Sequence, residues 1–228
     1  MKADGTGRVG RGVLVLLAVA LSGACGLDGI QPGVAVPTTP APAEGLARPR
    51  VAMPEAGRPR YERERWQPHG WADADGDGCN TREEVLLSQG RGVQTGPGCK
   101  ILAGEWVDRF TGRRTTSPAE LQIDHLVALA DAHRSGGWAW PDSRKEAFAN
   151  DVDDGELNAV WGPENQAKDD DGPDRWLPPN PEARCWYVST YARIKAQWDL
   201  TVTPLQWAAI ERVWSGCGTG RPAPEGGS

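Results

Sequence analysis

Ile123-Asp124-His125-Leu126-Val127 and, further on, Leu157-Asn158-Ala159-Val160 running into Asn165-Gln166-Ala167-Lys168 are the stretches around which this chain is organised. Gln122 to Leu129 is apolar and β-favouring enough to be a strand, and an adjacent Asp and His sit in its middle. Of the three histidines, only His125 is flanked on both sides by apolar strand residues. Gly162-Pro163-Glu164 reads as a helix start with Pro at the first helical position. Asn165 and Lys168 then fall three apart on one face of a short helix. A carboxylate anchors a divalent metal, and a neutral imidazole takes a proton from water. Asp and Asn oxygens suit a hard ion such as Mg²⁺, and a Lys suits a phosphate.

Each piece alone is ordinary. An Asp-His pair in a strand is more often a hydrogen-bonded structural pair, and Asn-x-x-Lys by itself carries no meaning. In this order the pieces resemble the HNH (His-Me finger, ββα-metal) nucleases, in the branch with Asp-His in the first strand and Asn at the later positions. The chain is similar in particular to small secreted bacterial HNH-family endonucleases. Those carry an "IDHxVxL" strand, a "W…R…FAND" helix, an "NxxK" helix with "WLPP" after it, and paired cysteines. The matching text here is Ile123 to Leu129, Trp140 with Arg144 and Phe148-Ala149-Asn150-Asp151, Asn165 to Lys168, and Trp176-Leu177-Pro178-Pro179. The resemblance runs from about Arg63 to Cys217.

The resemblance implies an α+β fold, with a small β-hairpin-plus-helix (ββα-metal) core surrounded by helices and stapled by disulfides. It implies an endonuclease that hydrolyses phosphodiester bonds of DNA, with RNA also open, and with little sequence specificity. His125 is then the general base, Asp124 and Asn165 hold one Mg²⁺ or Mn²⁺, and Asn158 orients the histidine or braces its loop. Lys168 meets a phosphate or the site carboxylates, and Arg144 is the substrate-contacting cation unless it pairs with Asp142 or Glu146. Neighbouring residues of a regular strand point to opposite faces, so Asp124 and His125 can meet one ion only if the strand bulges or twists there. Zinc matches poorly, since the site offers oxygen ligands and the chain has no Cys-x-x-Cys.

The ends read differently from the middle. Lys2, Arg8 and Arg11 precede a short apolar run from Gly12 to Leu21, too short for a membrane span, and small residues follow before Cys25. Residues 1–24 are therefore an export signal, cleaved either as an ordinary secretory signal or as a lipoprotein signal. In the second case Cys25 carries a lipid anchor to the outer face of the membrane. Removing Cys25 from the five cysteines leaves Cys79, Cys99, Cys185 and Cys217, an even set suited to two disulfides in an exported protein. The pairing Cys79–Cys99 with Cys185–Cys217 closes the shorter loops and is preferred among three connectivities. Residues 25–60 are rich in Pro, Ala and Gly and read as a disordered tether, residues 61–217 as the folded domain, and residues 218–228 as a tail. A monomer is expected.

Formal net charge is −6 over 228 residues, which argues against a broad basic face for nucleic acid. It leaves room for one scissile phosphate neutralised locally. Asp73, Asp75 and Asp77, with Gly78 between them and Glu84, satisfy the spacing of a calcium loop, so a structural Ca²⁺ is one reading. The other is local: Thr81 as N-cap with Glu84 three later makes a capping box. Ser143 with Glu146 offers a second box, and Thr203 with Pro204 and Gln206 starts a last helix. Gly104 to Asp108 and Thr111-Gly112-Arg113 suggest a hairpin, Ser117 to Glu120 one helical turn, and Glu182 to Trp198 a helix with apolar residues near helical spacing. The eleven tryptophans are most simply bracing residues.

Two other classes compete with the nuclease. One is a non-catalytic, calcium-binding surface lipoprotein on the same scaffold. The other, a cell-wall hydrolase, would need paired carboxylates or a zinc site, and neither is found.

Overall fold

Residues 45–218 are described by a computed structural model, so the export signal, Cys25 and nearly all of the tail lie outside the described residues. The domain is an α+β assembly of small antiparallel sheets and six helices. Asn80 opens α1 (Thr81–Gln89) by accepting the amides of Arg82 and Glu83. The expected Thr81–Glu84 box does not form. Thr81 has already turned into the helix, and its hydroxyl donates to Ala72 O and Asn150 Oδ1. Next come β1 (Arg91–Thr95), β2 (Ile101–Val107) and β3 (Arg114–Thr115), paired in the order β1-β2-β3. Asp108 closes the β2–β3 hairpin with both carboxylate oxygens, and Gly112 at φ 74° supplies the left-handed turn residue.

A short 3₁₀ turn, Pro118–Glu120, then delivers the chain into β4 (Leu121–His125). The strand is shorter than its composition suggests. Beyond His125 the Leu126 amide turns to Glu156 O (2.7 Å) and the Val127 amide to the Glu156 carboxylate (3.1 Å), so the ladder ends and the chain bends into α2 (Leu129–Arg134). Helix α3 (Asp142–Ala149) follows Pro141 with no side-chain cap. The Ser143–Glu146 box is therefore absent, and Asp142 takes Arg65 and Lys145 instead. Strand β5 (Leu157–Trp161) pairs antiparallel with β4 and passes directly into α4 (Gly162–Lys168), with Pro163 in its first turn as expected. A Cβ on Gly162 would come within 3.1 Å of Gln122 Nε2, which favours glycine at this close approach.

Helices α5 (Pro181–Gln197) and α6 (Pro204–Trp214) complete the domain, and α6 carries the complete Thr203–Gln206 capping box. Their apolar faces bury Tyr187, Val188, Tyr191, Ile194 and Ile210 in a large core with Trp66, Phe110, Leu126, Phe148 and Val160. A smaller core of Val85, Leu86, Ile101, Trp106, Leu121, Ile123, Leu157 and Ala159 lies on the other side of the β4–β5 ribbon. Every tryptophan is buried or half-buried. Disulfides join Cys79 to Cys99 and Cys185 to Cys217, the preferred pairing.

The end of the stretch read as tether is docked on the domain. Val51 bridges to Val202, Ala52 N donates to Val202 O, and Leu46 packs against the large core. Backbone pairing to Val202 gives this Pro/Ala-rich text a partner that its own composition does not supply.

Candidate active site

The site is built on the β4–β5 ribbon and the helix that continues it. Five successive pairs, from Leu121↔Trp161 to His125↔Leu157, are in unbroken register, with Asp124 opposite Asn158. No bulge or twist brings Asp124 and His125 to one face, so the bulge that both residues would need to meet one ion is absent. Strand alternation holds, and each residue meets its own set of partners. Gln122 and Asp124 face α4, while Leu121, Ile123 and His125 face the smaller core.

On the α4 side the spacing of three along the helix meets the spacing of two along the strand. Asn165 Nδ2 donates to Gln122 Oε1 (2.9 Å), and Lys168 Nζ donates to Asp124 Oδ1 and to His125 O, both at 2.8 Å. Lys168 is fully buried. Of the two contacts open to it in sequence, the structure shows the carboxylate. The second oxygen of Asp124, Oδ2, is buried and has no hydrogen-bond partner. Burial pushes the Asp124 carboxyl up to about 6 despite the neighbouring Lys168 ammonium. A buried carboxylate oxygen left open beside a cation is an anomaly that a further cation would resolve. Asn165 has committed its nitrogen to Gln122, which leaves its carbonyl oxygen able to meet a metal. Asp124 Oδ2 and Asn165 Oδ1 are hard donors of the kind that hold Mg²⁺ or Mn²⁺, and their chemistry fits such an ion.

On the opposite side, His125 is held from outside the ribbon. Its Nε2 meets Ala149 O at 2.9 Å, so the proton sits on Nε2 and Nδ1 is the acceptor nitrogen. Trp71 stacks on the imidazole, with centroids 5.4 Å apart and planes 17° apart. Burial holds the imidazole neutral and lowers it to about 3, helped by the charges of Arg63 and Lys168 and opposed by the Ala149 carbonyl. Asn150 anchors this arrangement, accepting from Ala72 N (3.0 Å) and Thr81 Oγ1 (2.8 Å). The dipeptide Ala149-Asn150 thus places both the hydrogen-bond acceptor of His125 and the residue next to its stacking partner.

Asn158 is buried and donates to Gly155 O (2.9 Å) and Glu156 O (3.4 Å), bracing the turn that enters β5. Arg144 lies apart from these contacts. Its guanidinium sits 4.6 Å over Trp140, donates to Trp198 O and faces Asp199 at 3.6 Å, so neither Asp142 nor Glu146 is its partner. His133 lies on α2, meets Pro59 O and packs edge-on against Tyr61 and Trp66, away from the ribbon. His69 is exposed. The acidic loop brings carboxylate oxygens of Asp73, Asp75 and Asp77 within 4.8 Å of one another, all exposed. Glu84 on α1 is raised by partial burial and then by Asp75, Asp77, Asp73 and Asp153, which places it in the field of that loop.

Reading the sequence alone missed four contributors. Gln122 carried a usable signal, since period two puts it on the Asp124 face. Trp71, Ala149 and Glu156 carried none, because their contacts with the His125 turn depend on the tertiary path.

The region around this site is also what relates the chain to other proteins. Residues 86–206 match the family described as GmrSD restriction endonucleases, C-terminal domain. An uncharacterized secreted protein of Arthroderma benhamiae is 34% identical over 187 residues, covering 80% of this chain and 90% of the relative. No solved structure matches. The matched segment holds Asp124, His125, Asn158, Asn165 and Lys168, while Trp71 and the acidic loop precede it. By the family match and by the extent of the relative's similarity, the chain belongs to the family of the GmrSD restriction endonuclease C-terminal domain.

Proposed function

We propose that this protein is an exported endonuclease of the HNH (His-Me finger) type. It hydrolyses phosphodiester bonds of DNA, and of RNA as a second substrate, with little sequence preference and as a monomer. One observation carries the reading: a strand–strand–helix unit bears a neutral histidine with one nitrogen fixed on a backbone carbonyl, and a buried carboxylate oxygen left open beside the helix. Ala149 O holds the Nε2 proton of His125, so Nδ1 takes the proton of the attacking water. The low proton affinity keeps Nδ1 available at physiological pH. Trp71 covers the ring and limits its rotation. Lys168 fixes the Asp124 carboxylate and the His125 carbonyl together, which ties the two faces of β4 through one ammonium. Asp124 and Asn165 would hold a single Mg²⁺ or Mn²⁺, which when bound supplies charge neutralisation at the phosphate and assistance to the leaving oxygen. Asn158 keeps the β5 entry turn in place, and Arg144 contributes a cation to the substrate from the rim. The low net charge accords with weak, sequence-independent binding.

The relative named as secreted supports export, and lipid attachment at Cys25 belongs to the same proposal. The clustered Asp73, Asp75 and Asp77, with Glu84, favour a structural Ca²⁺ in the loop before α1. They also support a second reading, a non-catalytic calcium-binding surface lipoprotein.

The deciding experiment is plasmid nicking by the oxidised protein in Mg²⁺, Mn²⁺, Ca²⁺ or EDTA, with His125→Ala as control. Cleavage that needs Mg²⁺ or Mn²⁺ and is lost in the variant is expected. No cleavage in any metal, together with a Ca²⁺-dependent rise in melting temperature, would favour the second reading.

A further inference from the structure

Glu156 is a buried ionisable group that the reading above does not use. It is fully buried, and none of its contacts is an ion pair with a described residue. Its main-chain oxygen accepts from Leu126 N at 2.7 Å, and its side-chain Oε2 accepts from Val127 N at 3.1 Å. Its other oxygen, Oε1, is buried without a partner. A buried carboxyl with one open oxygen is costly, and a leucine of similar volume would avoid that cost. The position therefore calls for a reason beyond filling space.

That reason lies in where the two amides stand. Leu126 and Val127 are the first residues after His125, at the point where β4 has lost its ladder and has not yet become α2. Both N–H groups are buried; any residue at 156 offers Leu126 its main-chain oxygen, but the Val127 amide would be orphaned without the Glu156 side chain. Asn158 in turn donates to Glu156 O, so the pair Glu156–Asn158 grips the end of β4 from the facing strand. We propose that Glu156 is a positioning residue: its side chain, through the amide of Val127 and beside the main-chain bond to Leu126, sets the turn that aims the His125 ring. The proposal rests on His125 being the base of the reaction proposed above. Burial pushes the Glu156 carboxyl well above its ordinary value, which favours the neutral acid, and glutamine keeps the acceptor oxygen without a charge.

The test is a series at this one position, read in two ways. Glu156→Gln keeps the acceptor, Glu156→Asp withdraws it by one methylene, and Glu156→Leu removes it. Single-turnover and steady-state cleavage give kcat and KM. Imidazole NMR of the three histidines, with His125 identified by its loss in His125→Ala, reports ring position without needing activity. Glu156→Gln should match the parent in both. The Asp and Leu variants should move the His125 signals, leave His69 and His133 in place, and lower kcat by roughly 100-fold with KM little changed. Ile210→Ala, a core change elsewhere, should lose stability without moving His125. Folded Asp or Leu variants with unmoved His125 signals and parental kcat would overturn the proposal, and Asp decides if Leu does not fold. If the parent itself does not cleave, the nuclease reading falls while the NMR arm still decides what Glu156 positions.

Discussion

Two buried aspartate–lysine pairs sit in this domain with the same N–O distance of 2.8 Å and opposite surroundings. Asp131–Lys195 is saturated. Asp131 Oδ2 also accepts from Tyr191 OH at 2.6 Å, Oδ1 accepts from Gln206 at 3.3 Å, and Lys195 donates to Ser135 Oγ. Burial would raise the Asp131 carboxyl, but Lys195, Tyr191 and Arg134 together hold it below its ordinary value. Asp124–Lys168 is open: one oxygen of Asp124 has no partner, and its carboxyl is pushed up to about 6. The first pair spends every lone pair on joining α2, α5 and α6. The second retains a lone pair at the ribbon where the chemistry is proposed. If the saturated pair is structural and the open acceptor serves the proposed chemistry, the two pairs should respond differently to the following changes.

The largest expected effect is on stability at the saturated pair. Lys195→Met leaves a buried carboxylate and its donors without their cation, and should lower the unfolding free energy by about 3–5 kcal/mol in urea titrations at pH 7. Lys168→Met should lose clearly less, since Asp124 already binds a proton at about 6 and can neutralise itself at small further cost. It should nonetheless lose cleavage. Equal destabilisation by the two variants would break the contrast.

A second effect is acid sensitivity. The His125 imidazole is lowered to about 3 in the fold and titrates near 6.5 when unfolded, so the folded state binds fewer protons between those values. Its contribution is complete above 6.5 and falls by up to about 1.4 kcal/mol per pH unit as the pH drops toward 3. His125→Gln should therefore flatten the acid limb of the stability profile relative to the parent. Parallel profiles would show that the ring is not held neutral.

Asp124→Asn sharpens the same comparison from the ligand side. Stability without metal should fall by about 3 kcal/mol, because the buried Lys168 ammonium loses its carboxylate partner and keeps only neutral acceptors. Saturating Mg²⁺ at roughly a hundred times its Kd should stabilise the parent by about 2.7 kcal/mol and the variant hardly at all, as calorimetry would show. The smallest effect belongs to Arg144. If it meets substrate from the rim, Arg144→Gln raises KM a few-fold with kcat intact, the mark of uniform binding. An unchanged KM would return it to its stack on Trp140.

Much of the framework was legible because it depends on local chemistry. Pro163 after Gly162, the Thr203–Gln206 box and the short cysteine separations each act within a few residues or within one region, so their outcome needed no knowledge of the fold. The false capping boxes at Thr81 and Ser143 show the limit. In both, the N-cap position lies one residue or more before the expected one: Asn80 caps α1 and leaves the Thr81 hydroxyl to Ala72 O and Asn150, and α3 begins at Asp142, which puts Ser143 inside the helix. The docking of Arg50 to Ala52 on Val202 is a failure of the same kind, since composition describes what a segment can bury by itself and not what another segment offers it.

At the site the division is equally physical. Residue type and order placed the Asp-His pair on a strand and Asn165 with Lys168 on one face of a short helix, because periods of two and three to four are properties of the backbone; the strand–strand–helix unit that joins them was what the resemblance implied. Period two also puts the adjacent Asp124 and His125 on opposite faces, and tertiary structure decided that no bulge overrides it. Tertiary structure also decided that Lys168 is buried on Asp124, that Trp71 and Ala149 hold the imidazole from outside the ribbon, and that Glu156 closes the turn behind it. Those facts depend on which chain segments meet, and on the requirement that buried amides and ammonium groups there find partners across the fold.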